Sequence, residues 1–185
     1  MLLDTPEAQI GWQARPFTLL DPDGRTFRLA DLQAGKGLLI AFICNHCPYV
    51  QAIADRFATD ANTLQSEGIN VVAINSNDYR YVPADSPAMM KKFAAQHRFS
   101  FPYLIDEDQS VGRAYAAVCT PDFFGFNAGG QLQYRGRLDD ARMGSSADRK
   151  AELLDAMRLI VATGRGPEKQ YPSMGCSIKW REGNI

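Results

Sequence analysis

Apolar residues fall along the chain in two rhythms. The runs at 38–43 (LLIAFI) and 69–74 (INVVAI) lack polar alternation, which is the pattern of strands covered on both faces of a sheet. Between them Val50, Ile53, Ala54, Phe57, Ala58, Ala61 and Leu64 recur at helical spacing, predicting an amphipathic helix that packs one face on that sheet. Pro48 falls in its first turn, where a missing N–H leaves no bond unmade. Shorter elements surround this centre. Strands are predicted at 17–20 and 26–29 around the Asp21-Pro-Asp-Gly24 turn, and at 103–105. Helices are predicted at 87–96, with Ser86 available as cap, and at 110–117. The runs 122–126 and 132–137 flank Ala128-Gly129-Gly130 and read as an antiparallel hairpin. A closing helix starts from the capping-box pattern Ser145-Ser146-Ala147-Asp148 and carries Leu153, Leu154, Met157, Ile160 and Val161 until Gly164 stops it. Beyond it the chain has no period and reads as an irregular tail.

Helices alternating with buried strands, plus hairpins, predict an α/β protein with a mixed central sheet flanked by helices. With 185 residues and no repeat or linker, one domain is expected over 1–185, with its core at 15–164 and its tail at 165–185. Twenty basic residues against twenty-one acidic ones leave a net charge of -1, so neither nucleic acid nor an anionic membrane is expected as a partner. The longest apolar stretch, residues 37–44, is far below the ~20 residues of a membrane span. The N-terminal MLLDTPEAQIGWQARPF has no basic n-region and no long apolar core, and a cytoplasmic location is expected.

Four cysteines are too few to serve as a scaffold for a chain that can bury a core without staples, and point instead to chemistry. Cys44-Asn45-His46-Cys47 lies between the buried run at 38–43 and the helix after it, the context of a redox dithiol. The open N–H groups and partial positive charge of a helix N-terminus favour a thiolate. Cys44 is thus expected to attack and Cys47, one turn later, to resolve the mixed disulfide. Of the two intervening supporting residues, Asn45 and His46, an imidazole at 46 could stabilise a Cys44 thiolate and so raise the reduction potential. It would move from the thioredoxin figure of about -270 mV toward the isomerase figure of about -180 mV. The other reading of His46 is a solvent-facing spacer. A half zinc site is the competing reading of the motif, but a second ligand pair is missing: Cys119, Cys176 and His97 are scattered, and no metal is expected. Adjacent Asp139 and Asp140 read as a solvated turn, and Lys91 and Lys92 as a polar helix face.

The segments FICNHCPYV (42–50), TPDFFGF (120–126), YRGRLDD (134–140) and GCSIKW (175–180) resemble the thioredoxin superfamily. Within it they resemble the peroxiredoxin-like redoxins related to alkyl hydroperoxide reductase and thiol-specific antioxidant proteins. The resemblance implies a thioredoxin-like fold and a cis Thr120–Pro121 peptide facing the thiols, where it would hold a substrate chain in extended form. It further implies thiol-disulfide exchange with protein or small-molecule disulfides, driven by an external thiol system and without a bound cofactor. Two alternatives stay open. One is a thiol-dependent peroxidase with Cys44 peroxidatic and Cys47 or Cys176 resolving; the other is a non-enzymatic metal-binding or thiol-sensing module. The chain departs from the peroxiredoxin pattern, having Gly37 and Ala41 seven and three residues before Cys44, where that family resembles itself in a proline and a threonine. Arg137 could supply a donor to peroxide, or be an exposed hairpin arginine. Cys119, two residues before Pro121, reads either as a small buried hydrophobe or as a further thiol. Cys176 is a candidate second resolving thiol if the tail and Trp180 fold back over the site.

Overall fold

The computed structural model describes residues 1–182. In chain order the elements are β1 (Leu2–Asp4), β2 (Thr18–Leu20), β3 (Thr26–Arg28), α1 (Leu29–Leu32), β4 (Gly37–Phe42), α2 (Pro48–Ser66) and β5 (Ile69–Asn75). A 3-10 turn at Pro83–Asp85 leads into α3 (Pro87–Gln96), β6 (Tyr103–Ile105), α4 (Ser110–Ala114), β7 (Cys119–Thr120), β8 (Asp122–Asn127), β9 (Leu132–Gly136), α5 (Glu152–Thr163) and β10 (Met174–Ser177). The main sheet has the order β3-β2-β6-β5-β4-β8-β9. Its interior strand β4, next to the central β5, is buried at every position, parallel to β5 and antiparallel to β8. The fold is thioredoxin-like, with a mixed sheet between layers of helices.

Strand alternation divides the interior into two cores. Leu39, Ala41 and Ile43 point to the side covered by α2, α3 and α5, where they meet Phe57, Met90, Phe93, Leu153 and Met157. Leu38, Ile40 and Phe42 point to the opposite side, against Leu29, Val111, Tyr115, Phe124 and Phe126. Each such large side chain contributes roughly 1.5–3 kcal/mol on burial. The unbroken apolar run at 38–43 is therefore required by a strand that feeds both cores.

Several boundaries depart from the sequence reading. Helix α5 starts at Glu152, with no side-chain cap, rather than at the Ser145–Asp148 pattern. The preceding segment is held instead by Arg149, which pairs with Asp60 at 2.6 Å and Asp139 at 3.3 Å. Asp139 is accordingly not a solvated turn residue: it is buried and also receives Arg56 at 2.9 Å. Ser86 precedes α3 without making a cap bond. Helix α4 ends at Ala114, and Ala116 takes a positive φ of 51°. Among the described residues no helix is long and apolar enough to cross a membrane.

The larger correction concerns the chain ends. The expected irregular tail contains β10, which lies between β1 and β7 in a second sheet of order β1-β10-β7, while residues 183–185 lie outside the described residues. Leu2 sits opposite Cys176, and Cys176 opposite Thr120. Strands of two to four residues have no room for a readable period, so only their partners define them. Trp180 goes to the second core, beneath Arg113, rather than over the thiols.

Gly175 is what allows β10 to lie so close to β7. A Cβ there would stand 1.8 Å from the Thr120 carbonyl oxygen, a contact that no side chain tolerates. Gly175→Ala is expected to cost about 1–3 kcal/mol as an overpacking change and to loosen β10. Chemical denaturation of the reduced protein checks the first effect, and an unchanged midpoint would contradict the close approach.

Candidate active site

Strand β4 ends two residues before Cys44, and the register of its antiparallel pair sets Phe42 opposite Asp122. Carried two residues further along each strand, the same register brings Cys44 to Thr120. The Cys44 Sγ lies 3.1 Å from the Thr120 Oγ1, and the Cys47 thiol donates to the Thr120 carbonyl oxygen at 3.2 Å. Thr120–Pro121 is cis. Cys47 is the extended residue immediately before α2. Both sulfur-bearing residues are 0% exposed.

The intervening loop is stitched to the segment that follows β5. The Asp85 carboxylate accepts the backbone N–H groups of Asn45 at 2.7 Å and His46 at 3.2 Å. Its other oxygen meets His46 Nδ1 at 2.6 Å and accepts from Asn77 Nδ2 at 2.8 Å. Asn45 donates its side-chain amide to the Ala84 carbonyl and accepts from the Tyr103 hydroxyl at 3.0 Å. Gln51 Nε2 donates to the Asn45 carbonyl oxygen at 2.8 Å. Asp85, Asn77, Tyr103 and Gln51 were not picked out from sequence. The one available signal was the polar cluster Asn75-Ser76-Asn77-Asp78 at the carboxyl end of a buried strand, where α/β sheets place their sites.

The two thiols differ in their electrostatic surroundings. Cys47 is lowered to about 5, chiefly by a hydrogen bond from the Cys44 thiol, against the opposing effect of burial. The backbone and thiol of Cys176 lower it further, and the Val50 N–H in the first turn of α2 adds to this, although it falls short of a regular cap bond. Cys44 is raised well above an ordinary thiol, first by that shared bond, then by burial and by the Asp85 charge. The two sulfurs are therefore shifted in opposite directions, Cys47 down beside the helix terminus and Cys44 up beside Asp85. Burial raises Asp85, but its bonds from His46, Asn77 and Asn45 outweigh this and leave it below an ordinary carboxyl.

His46 is tied to Asp85 rather than facing solvent, its side chain being 25% exposed. Ligand atoms of Cys44, His46 and Asp85 lie within 4.8 Å of one another. The 2.6 Å separation of His46 and Asp85 is that of a hydrogen bond, whereas ligands about 2.0 Å from a tetrahedral zinc stand roughly 3.3 Å apart. Arg137 is committed to Glu152 through two bonds of 2.6 and 2.8 Å and lies over Tyr171. It is mostly buried, not an exposed hairpin arginine. His97 pairs with Asp55 at 2.7 Å. Cys119 is buried on β7 and is pushed up to about 12 by burial and by Asp122, the surroundings of a small buried hydrophobe. Cys176 is half-buried, opposite Thr120 and packed against the cluster that contains Cys44 and Cys47.

A dithiol held at a helix terminus, beneath a cis-proline loop at the end of a central strand, defines a redox protein of the thioredoxin fold. The chain belongs to the AhpC/TSA family, whose model matches residues 10–135. It is 26% identical over 129 residues to the thiol-disulfide oxidoreductase ResA of Halalkalibacterium halodurans, a match covering 70% of this chain and 69% of that protein. It also resembles the structure of an uncharacterized conserved protein from Geobacillus kaustophilus, with 42% identity, a TM-score of 0.91, and coverage of 98% and 97% of the two chains. A hypothetical protein from Sinorhizobium meliloti 1021 is 39% identical with a TM-score of 0.90, over 97% of this chain and 99% of that one.

Two predictions follow from the charges. The reduced protein should show one thiolate that protonates near pH 5, read by ultraviolet thiolate absorbance. Cys47→Ser should abolish that transition, and a first titration at ordinary thiol pH would refute the assignment. The folded value lies below that of the unfolded chain, so this thiolate stabilises the reduced protein above the unfolded value and the contribution is lost as pH falls toward 5. Asp85 and His46 should act on the couple with opposite signs. Asp85→Asn removes a charge that opposes thiolate and is expected to raise the reduction potential by on the order of 30 mV. His46→Ala leaves that charge uncompensated and should lower it. Equilibration against a glutathione redox buffer measures both.

Proposed function

We propose that the protein is a thiol-disulfide oxidoreductase whose working couple is Cys44 and Cys47. The observation that carries the reading is the convergence of both sulfurs on the cis Thr120–Pro121 segment, Cys44 Sγ 3.1 Å from the Thr120 hydroxyl and Cys47 Sγ 3.2 Å from its carbonyl oxygen. Such a pair is poised for exchange, because a thiolate starts the attack and a neighbouring thiol completes it. In the net reaction the two thiols give two electrons and two protons to a partner disulfide. The partner leaves as two thiols, and Cys44 and Cys47 are joined by one S–S bond. An external dithiol returns the pair to the reduced form.

The partners in this reading are protein or small-molecule disulfides. An apolar groove beside Pro121, lined by Tyr49, Ile53, Leu138 and Met174, suits a side chain of such a partner. A cytoplasmic setting belongs to the same proposal and draws on the sparing use of cysteine in the sequence. Disulfide exchange is favoured over peroxide reduction by the residues around Cys44. Position 41 is an alanine buried in the first core, and Arg137 is spent on Glu152 rather than offered to a peroxide oxygen.

The purified protein should reduce a disulfide-bonded protein substrate with a dithiol as donor. Cys44→Ser and Cys47→Ser should each lower the rate by roughly two orders of magnitude. Peroxide consumption under the same donor should be slow. Fast peroxide turnover with no disulfide reduction would overturn the reading.

A further inference from the structure

Cys44 and Cys47 are both 0% exposed, which is a difficulty for any couple that must exchange with a partner, because an attacking thiolate needs access to the sulfur. The covering element is the chain's own C-terminal strand. Strand β10 runs antiparallel along β7 with Cys176 opposite Thr120 and Ser177 opposite Cys119. It thus occupies the Thr120 edge at which the sequence resemblance implied an incoming substrate chain. Gly175 admits the close approach, and the neighbouring Ser173 hydroxyl donates to the Pro121 carbonyl oxygen at 2.6 Å. The strand that covers the couple also brings a third sulfur to it. Cys176 is half-buried and packs against the cluster that contains both motif cysteines. Strand β10 also lies beyond residues 10–135, the part matched by the family model.

We infer that Cys176 is a relay thiol, through which disulfide equivalents pass between the buried Cys44–Cys47 couple and partners in solution. The inference rests on the oxidoreductase reading and adds a residue and a route to it. In the oxidised protein the Cys176 thiolate attacks the Cys47 Sγ. The Cys44–Cys47 bond breaks, a Cys47–Cys176 bond forms, and Cys44 leaves as a thiolate that takes up the proton Cys176 gave. No electrons are gained or lost in this step. A dithiol reductant then attacks the half-buried Cys176 sulfur, expelling Cys47 as thiolate. The second thiol of the reductant closes its own disulfide and frees Cys176, so two electrons and two protons have passed from reductant to protein.

The surroundings suit the step that opens the Cys47–Cys176 bond. Cys176 stands opposite Thr120, the residue whose carbonyl oxygen the Cys47 sulfur meets, Cys176 also lowers the Cys47 thiol, and a stabilised thiolate is the better leaving group when the Cys47–Cys176 bond is opened. Burial raises Cys176 to about 11, as does its bond to Cys47 and the Cys47 charge. Those last two effects vanish once Cys47 is in a disulfide. Lys179 and the N-terminal ammonium, which lower it, remain.

The test oxidises three full-length proteins with diamide, maps their disulfides by peptide mass analysis, and follows their reduction by dithiothreitol. Wild type is expected to contain both Cys44–Cys47 and Cys47–Cys176 bonds. Cys44→Ser should close Cys47–Cys176 intramolecularly, which shows the pairing without altering β10. Cys176→Ser should still close Cys44–Cys47 but be reduced about tenfold more slowly than wild type, as expected if the accessible sulfur has been removed. Absence of the Cys47–Cys176 bond in Cys44→Ser, or reduction of Cys176→Ser at the wild-type rate, would overturn the relay while leaving the couple intact. Failure of wild type and Cys176→Ser alike to form Cys44–Cys47 would instead remove the oxidoreductase reading, and the relay with it.

Discussion

The site depends on the register of one antiparallel pair. With Phe42 opposite Asp122, the end of β4 delivers Cys44 where the end of β7 presents Thr120, and the helix that begins after Cys47 completes the arrangement. A slip of one residue would turn the apolar set of β4 to the wrong faces and would carry the thiols away from Thr120 at the same time. Both cores hold that register in place, since Leu38, Ile40 and Phe42 are committed to one and Leu39, Ala41 and Ile43 to the other. Packing and redox geometry are therefore specified by the same contacts.

Thr120 is the junction of this geometry. Its hydroxyl reaches Cys44, its carbonyl oxygen accepts from Cys47, and its backbone faces β10. Asp85 supplies the second fixed point by gathering two backbone N–H groups, an imidazole and an amide at one carboxylate. A carboxylate with this many donors is held rigidly, and its charge opposes ionisation of the nearer sulfur, Cys44. Donors from α2 and β10 surround Cys47 instead. The asymmetry between the two sulfurs thus comes from their neighbours rather than from their order in the motif.

Closure by β10 gives the chain a feature that the dithiol alone would lack. The second sheet unites the first residues, the last described strand and the segment before the cis proline. A buried couple is protected from adventitious oxidation, because oxidation follows exposure as well as thiolate character. The same burial limits direct exchange, and a half-buried cysteine on the cover reconciles the two demands.

Local pattern and composition alone determined the central architecture. The unbroken apolar runs made β4 and β5 legible, the 3.6-residue spacing made α2 legible, and Cys44-x-x-Cys47 between them declared a redox dithiol, because each of these signals is written in consecutive residues. Only the tertiary structure decided how differently the two sulfurs are surrounded, since Asp85 bears on Cys44 while Val50 and Cys176 bear on Cys47, from three separate elements. It also decided that the tail is a strand and that Asp139 is buried: a four-residue strand has no period of its own, and an aspartate next to a turn looks solvated until Arg56 and Arg149 arrive from distant parts of the chain. Short-range periodicity is encoded by neighbours in sequence, whereas charge, burial of polar groups and edge pairing are set by neighbours in space.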